Sequence, residues 1–154
     1  MESQRVDKLK TILEEIGNTA DKQVVTKLEI EMCNRFIQRL SSFSSDCEVC
    51  YQHFITLENH IIQLKDKLDQ LAENDFNYQK QTLATISSHL QKKHNLVSSG
   101  YYLSIYMSLG TSLGVVFGLL IFDNIGMGLP LGMGIGVAIG AGLDADAKKK
   151  GKTL

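Results

Sequence analysis

The sequence predicts an all-α chain in which cytoplasmic amphipathic helices, paired as a coiled coil, lead into a C-terminal transmembrane helical hairpin. Three observations predict it. Residues 101–122 carry no charged side chain, and after Asp123 and Asn124 a second apolar run covers residues 125–143. Before residue 100, apolar residues recur at helical spacings with no proline and no strand-like alternation of useful length. The glycines of the two apolar runs stand four apart, Gly110, Gly114 and Gly118 in the first and Gly128, Gly132, Gly136 and Gly140 in the second. These place a cytoplasmic helical region at 1–100, the hairpin at 101–143 and a basic cytoplasmic tail at 144–154.

The first helix follows from Val6, Leu9, Ile12, Leu13 and Ile16, with Gly17-Asn18 as its expected stop. Thr19 is the expected cap of a second helix carrying Val25, Leu28, Met32, Phe36 and Leu40. The serine cluster of residues 41–45 reads as a loop, with Ser45 or Asp46 capping the next helix. From there Cys47, Cys50, Phe54, Leu57, Ile61, Leu64, Leu68 and Leu71 alternate spacings of three and four, an a/d seam that predicts a coiled coil, its partner being either the second helix folded back across the serine loop or another copy of the seam. Around residues 73–77 the register slips, as a break or a stutter would make it, and Phe76, Leu83, Ile86, Leu90 and Val97 resume the pattern.

As a helix, the first apolar run reaches roughly 33 Å and the second roughly 28 Å, against a hydrocarbon core of about 30 Å. Glycines four apart share one helix face, where a missing side chain lets another backbone approach closely. Two such faces imply that each helix has a partner, and Gly126, Gly134 and Gly142, off the main register, leave the second helix thin enough for a further neighbour. Pro130 removes one backbone donor inside the second run, so a start at Asn124 with a loosened turn before Pro130 is expected, a re-entrant segment being the alternative. Tyr101, Tyr102 and Tyr106 stand where an interfacial aromatic belt would lie.

Charge sets the orientation. The whole chain has a formal charge of −1, which argues against nucleic acid as a partner. Lys148, Lys149, Lys150 and Lys152 follow the hairpin, Lys92 and Lys93 precede it, and the turn between its helices holds only Asp123. Lysines beside a membrane segment are retained on the cytoplasmic side, so both termini are expected there, with the tail in reach of lipid headgroups. The highly charged N-terminus has no apolar stretch of signal-peptide length, and three cysteines in a cytosolic region are expected to be reduced.

Candidate chemistry is sparse. Cys47-Glu48-Val49-Cys50 has the spacing of half a zinc site or of a redox pair, with His53, His60 or Cys33 nearby in sequence. Both cysteines also fall on the heptad seam, where a free cysteine behaves as a small buried hydrophobe, and the second matching pair of a zinc signature is missing. Packing is the expected role, with metal and thiol redox as the alternatives; no metal or other cofactor is expected. His53, His60, His89 and His94 form no H-E-x-x-H pattern, and Gly151-Lys152-Thr153 lacks the first glycine of a phosphate loop, Asp146 standing there. No enzymatic activity is expected.

Residues 123–144, followed by Ala147 and the lysines, resemble the C-terminal segments of small prokaryotic glycine-zipper membrane proteins. The resemblance implies membrane insertion and close helix packing, and it implies no activity. The expected function is that of a small integral protein of the cell membrane, a homo-oligomer associating through its glycine-faced helices and coiled coil, and serving as an anchor or interaction module for a cytoplasmic protein partner. The alternative is a pore-forming or channel-like protein, a toxin or defence effector. With Ser104, Ser108, Thr111 and Ser112 as the only polar groups inside the first run and none in the second, the anchor is favoured.

Overall fold

The computed structural model describes residues 2–121 and 123–154; Met1, the side chain of Glu2, and Phe122, the last residue of the expected first crossing, lie outside the described residues. Seven α-helices occur among the described residues: α1 Glu2–Thr19, α2 Lys22–Lys27, α3 Ile30–Phe43, α4 Glu48–Asp66, α5 Glu73–His94, α6 Tyr101–Ile121 and α7 Ile125–Lys149. They form two units, one running to Lys93 and one spanning His94–Thr153, so that α5 crosses the boundary only by its final residue.

In the first unit, α1, α3 and α4 pack on one another. Their buried residues are those of the helical periodicity: Leu9, Leu13 and Ile16 from α1, Phe36, Ile37 and Leu40 from α3, Phe54, Leu57 and Ile61 from α4, with Leu83, Ile86 and Leu90 from α5. Burying each such side chain is worth about 1.5–3 kcal/mol, which makes this stripe pattern the main determinant of the bundle. At the edge, the Arg5 guanidinium pairs with the Glu58 carboxylate and lies 5.4 Å from the Phe54 ring centre.

Several local expectations are corrected here. The expected second helix is two helices, because Glu29 adopts a left-handed conformation (φ 51°) between α2 and α3. That kink costs a non-glycine residue about 1–2 kcal/mol. It lets Leu28 and Ile30 both turn inward, and the Leu28 carbonyl accepts from the buried Gln79 side chain of α5 at 3.0 Å. Asp21 rather than Thr19 precedes α2, and Cys47 rather than Ser45 or Asp46 is the N-cap of α4. Helix α1 passes through Gly17 and Asn18 to Thr19.

Of the two partners the heptad seam allows, the one within the chain is present: Cys50, Phe54, Leu57, Ile61 and Leu64 are buried along α4, which packs on α1 and α3. A stripe repeating every three and four residues meets an intrachain neighbour as well as a second copy, so its spacing cannot distinguish the two. Leu68 and Leu71 leave the seam altogether: α4 stops at Asp66, Leu68 opens a 3₁₀ turn (Leu68–Gln70) and Leu71 is extended. The register slip is a true break, closed by Asp75, whose carboxylate accepts from the Ala72 amide at 2.9 Å.

The second unit is the helical hairpin. Helices of 21 and 25 residues are about 32 and 37 Å long, each sufficient for the hydrocarbon core. At the turn, Asp123 takes a positive φ of 46°, and the Asn124 amide donates to the Gly118 carbonyl at 2.9 Å. Asn124 is the N-cap of α7, its side chain accepting from the Gly126 amide at 2.9 Å, and Pro130 lies within the helix. The tail expected from residue 144 begins instead as the last turns of α7, which extends to Lys149. Gly151 (φ 66°) then terminates it: the Lys152 amide reaches the Ala147 carbonyl at 2.9 Å and the Gly151 amide that of Lys148 at 3.1 Å, the paired bonds of a Schellman motif.

Candidate membrane hairpin and a cysteine–histidine cluster

The two glycine registers face one another inside the hairpin. A Cβ built on Gly114 would lie 2.6 Å from the Gly128 carbonyl oxygen and 3.1 Å from the Gly132 Cα. One built on Gly118 would meet Asn124, Ile125 and Gly128 backbone atoms at 3.1–3.2 Å, and one on Gly140 the Leu103 Cα at 2.6 Å. Gly110, Gly128, Gly132 and Gly136 are equally hemmed in by backbone of the opposite helix. Each helix is thus the partner of the other, and no side chain of any size fits between them. Gly134 and Gly142 have nothing within 4 Å of such an added carbon, and Gly126 meets only the Asn124 side chain at 3.1 Å.

The outer surface of the hairpin is apolar. Leu109, Leu113, Leu119, Leu120, Ile121, Met127 and Leu131 are all more than half exposed, Leu120 to 78%. A contiguous surface of this kind is a liability in water and none in lipid. The hydroxyls of Ser104, Ser108, Thr111 and Ser112 each donate to the carbonyl four residues earlier, at 2.7–2.9 Å, so all four are satisfied on their own helix.

The open end of the hairpin is tied by groups that the sequence did not single out. The Asp144 carboxylate of α7 accepts from the Tyr102 and Leu103 amides at 3.1 Å each, capping the first turn of α6 across the hairpin. Negative charge at a helix N-terminus is favourable on both hydrogen-bonding and dipole grounds. The Val97 amide donates to the Lys152 carbonyl at 2.8 Å, and a single parallel bridge joins Val97 to Thr153. Lys148, Lys149, Lys150 and Lys152 are exposed at this end, with the Lys150 ammonium 2.7 Å from Asp146, which raises the lysine pKa through that hydrogen bond.

Helices α4 and α5 assemble a cluster that local sequence could not show, His94 being the final residue of α5. The sulfurs of Cys47 and Cys50 and ring nitrogens of His89 and His94 all lie within 4.8 Å of one another. The cysteines come from the first turn of α4 and the histidines from the last turns of α5. His53, His60 and Cys33, the companions suggested by sequence, are not members: His60 packs edge-on against Tyr78 at 4.7 Å, and Cys33 is buried beside Gln79. Cys47 does not pack on the seam, since it is the half-exposed N-cap; Cys50 is fully buried. The amide of Cys50, at the start of α4, draws the Cys47 thiol below its ordinary pKa, whereas burial and the bond shared with Cys47 push Cys50 up to about 12. His89 is 42 residues from Cys47, and its Nε2 lies 3.4 Å from that sulfur.

Residues 92–146 match a family model described as glycine zipper membrane protein, which is the resemblance carried by the C-terminal sequence. Comparison with curated proteins finds no significant match, and comparison with solved structures finds none. The two apolar helices of adequate length fall within or across the matched segment. With glycines lodged between its helices and leucines outside, the C-terminal part of the chain is similar to glycine-zipper membrane proteins over residues 92–146.

Proposed function

We propose that this is a small integral protein of the cell membrane, whose α6–α7 hairpin anchors the helical N-terminal unit on the cytoplasmic side and presents it to a cytoplasmic protein partner. The observation that carries the reading is the inside-out hairpin: backbone-to-backbone glycine contacts within, large apolar side chains without. Such a pair needs lipid around it and no further helix to complete its core. The exposed lysines at 148–150 and 152 and the lysine pair at 92–93 set the cytoplasmic orientation, because both flank the same end of an antiparallel hairpin. No catalytic step is assigned.

Self-association belongs to this reading by a different surface from the one expected. The four-spaced glycines are occupied within the hairpin and the seam of α4 within the bundle, which leaves the exposed line of Gly126, Pro130, Gly134, Ala138 and Gly142 on α7. Small residues four apart permit close approach of a second hairpin in lipid. The serine and threonine hydroxyls of α6 are satisfied on their own helix, and residues 101–121 and 125–143 hold no charge, so the arrangement supports an anchor over a conducting pore.

The test is topology and mass. In a background with the three native cysteines replaced, an impermeant thiol reagent added outside intact cells should label Asn124→Cys and leave Lys150→Cys unlabelled. The detergent-solubilised chain should exceed the monomer mass, and Gly134→Leu should reduce it. Labelling at both positions refutes the hairpin crossing, a monomer refutes self-association, and ion conductance in liposomes replaces the anchor with the pore.

A further inference from the structure

We propose that Cys47, Cys50, His89 and His94 form a tetrahedral Zn²⁺ site that clasps the start of α4 to the end of α5. The donor set is two thiols and two imidazoles, and no carboxylate belongs to it. Soft sulfur and borderline nitrogen select zinc over calcium or magnesium, which take oxygen. Four protein ligands saturate a tetrahedral ion and leave no position for water or substrate, the mark of a structural site.

The geometry fits. With Zn–S of about 2.3 Å and Zn–N of about 2.0–2.1 Å, a regular tetrahedron separates its ligand atoms by about 3.3–3.8 Å. The Cys47 sulfur and His89 Nε2 are already 3.4 Å apart, and every pair lies within 4.8 Å, so rotamer adjustments suffice to close the shell. Cys47 and Cys50 are held in register by the first turn of one helix, and both histidines belong to a single helix, His89 and His94 being on its last turns. The ligands therefore arrive as two rigid pairs.

Charge and access agree with this. Both thiols lose their protons to solvent on binding, and two thiolates neutralise the divalent ion, so the filled site buries no net charge beside Cys50. A solvent-open hollow lined by His53, Ser88, His89, Lys92 and Lys93 adjoins His89 and provides an entry path. The His53 ring stands edge-on to that of His89, with centres 5.3 Å apart, and limits how the ligand ring turns. Packing alone does not account for the cluster, since a half-exposed cysteine at an N-cap and two half-exposed histidines fill no core. The signature was hard to read in sequence because, although C-x₂-C and H-x₄-H are both zinc-ligand spacings, 38 residues separate Cys50 from His89, where compact zinc motifs place about 12–15.

The experiment uses the full chain in detergent, stripped with chelator and reduced, and titrated with Co²⁺ as a spectroscopic probe. One Co²⁺ per chain should bind, with the intense visible bands of tetrahedral cobalt and a near-ultraviolet thiolate band, and Zn²⁺ should displace it. Cys47→Ser, Cys50→Ser, His89→Ala and His94→Ala should each weaken binding more than about 100-fold, beyond the 10–100-fold effect of outer partners. His94→Cys should retain binding with a spectrum shifted towards three sulfurs, and Cys33→Ser should change nothing. Helicity by circular dichroism identifies any variant that fails to fold, and His94→Cys keeps the test decisive in that event. Absence of a tetrahedral spectrum, or one that survives loss of Cys50 and His89, overturns the site. So does a reduced chain that takes up no metal while mild oxidant joins Cys47 to Cys50, which would make the pair a redox couple.

Discussion

Replacing Gly132 by alanine, beside Gly134 replaced in the same way, isolates the close approach of α6 and α7. Both positions lie in the middle of α7 and both gain the same helix propensity, so that term cancels in the difference. At Gly132 the new methyl would meet the Gly114 Cα at 2.6 Å and the Gly114 nitrogen at 2.8 Å, besides the Gly110 carbonyl, all backbone atoms that no rotamer change can move. At Gly134 nothing lies within 4 Å. Restoring ordinary contact at Gly132 requires the helices to separate by roughly 1 Å, which forfeits a quarter to a half of each dispersion well. With on the order of 30 carbon pairs across the seam at about 0.1–0.2 kcal/mol each, the loss is about 1–3 kcal/mol, and lipid supplies no hydrophobic term to offset it. Unfolding in mixed micelles titrated with SDS should therefore place Gly132→Ala below Gly134→Ala by that amount. Equal midpoints would refute the claim that glycine-on-glycine contact holds the hairpin together.

Removing the Asp144 carboxylate as Asp144→Ala should destabilise the same hairpin by about 1–3 kcal/mol, through loss of two charge-assisted bonds to the Tyr102 and Leu103 amides; Asp144→Asn should recover part of it in the same titration. Burial lowers the pKa of His60, so the folded state resists its protonation while the unfolded state accepts a proton below about pH 6.5. Stability present above that pH is lost as pH falls towards the folded-state value, and a Tm series from pH 7.5 to 5 should be flatter in His60→Gln. Gln79→Ala should cost about 2–4 kcal/mol in chemical denaturation, since it empties a buried position and leaves the Leu28 carbonyl with only the weak Cys33 thiol donor at 3.6 Å; Lys80→Ala, exposed on the next residue, should cost little.

What sequence alone determined about this protein is whatever depends on neighbours a few residues away. Runs free of charge about as long as the hydrocarbon core is thick, glycines every fourth residue and an N-capping asparagine between the runs are local signals, and helix geometry converts each into a length, a face or an end. The all-α class and the hairpin follow from them. What remained for the tertiary structure depends on which surfaces meet. The spacing of Phe54, Leu57, Ile61 and Leu64 defines a buried face without naming its partner, and the fold supplied α1 and α3 of the same chain. The left-handed Glu29 became affordable only because Leu28, Ile30 and Gln79 could then share one core. Asp144 caps a helix that starts 43 residues earlier, and His89 and His94 reach Cys47 and Cys50 only because α5 runs back along α4. Contacts between residues so far apart leave no periodicity in the chain, because loop closure and packing, rather than helix pitch, decide which of them meet.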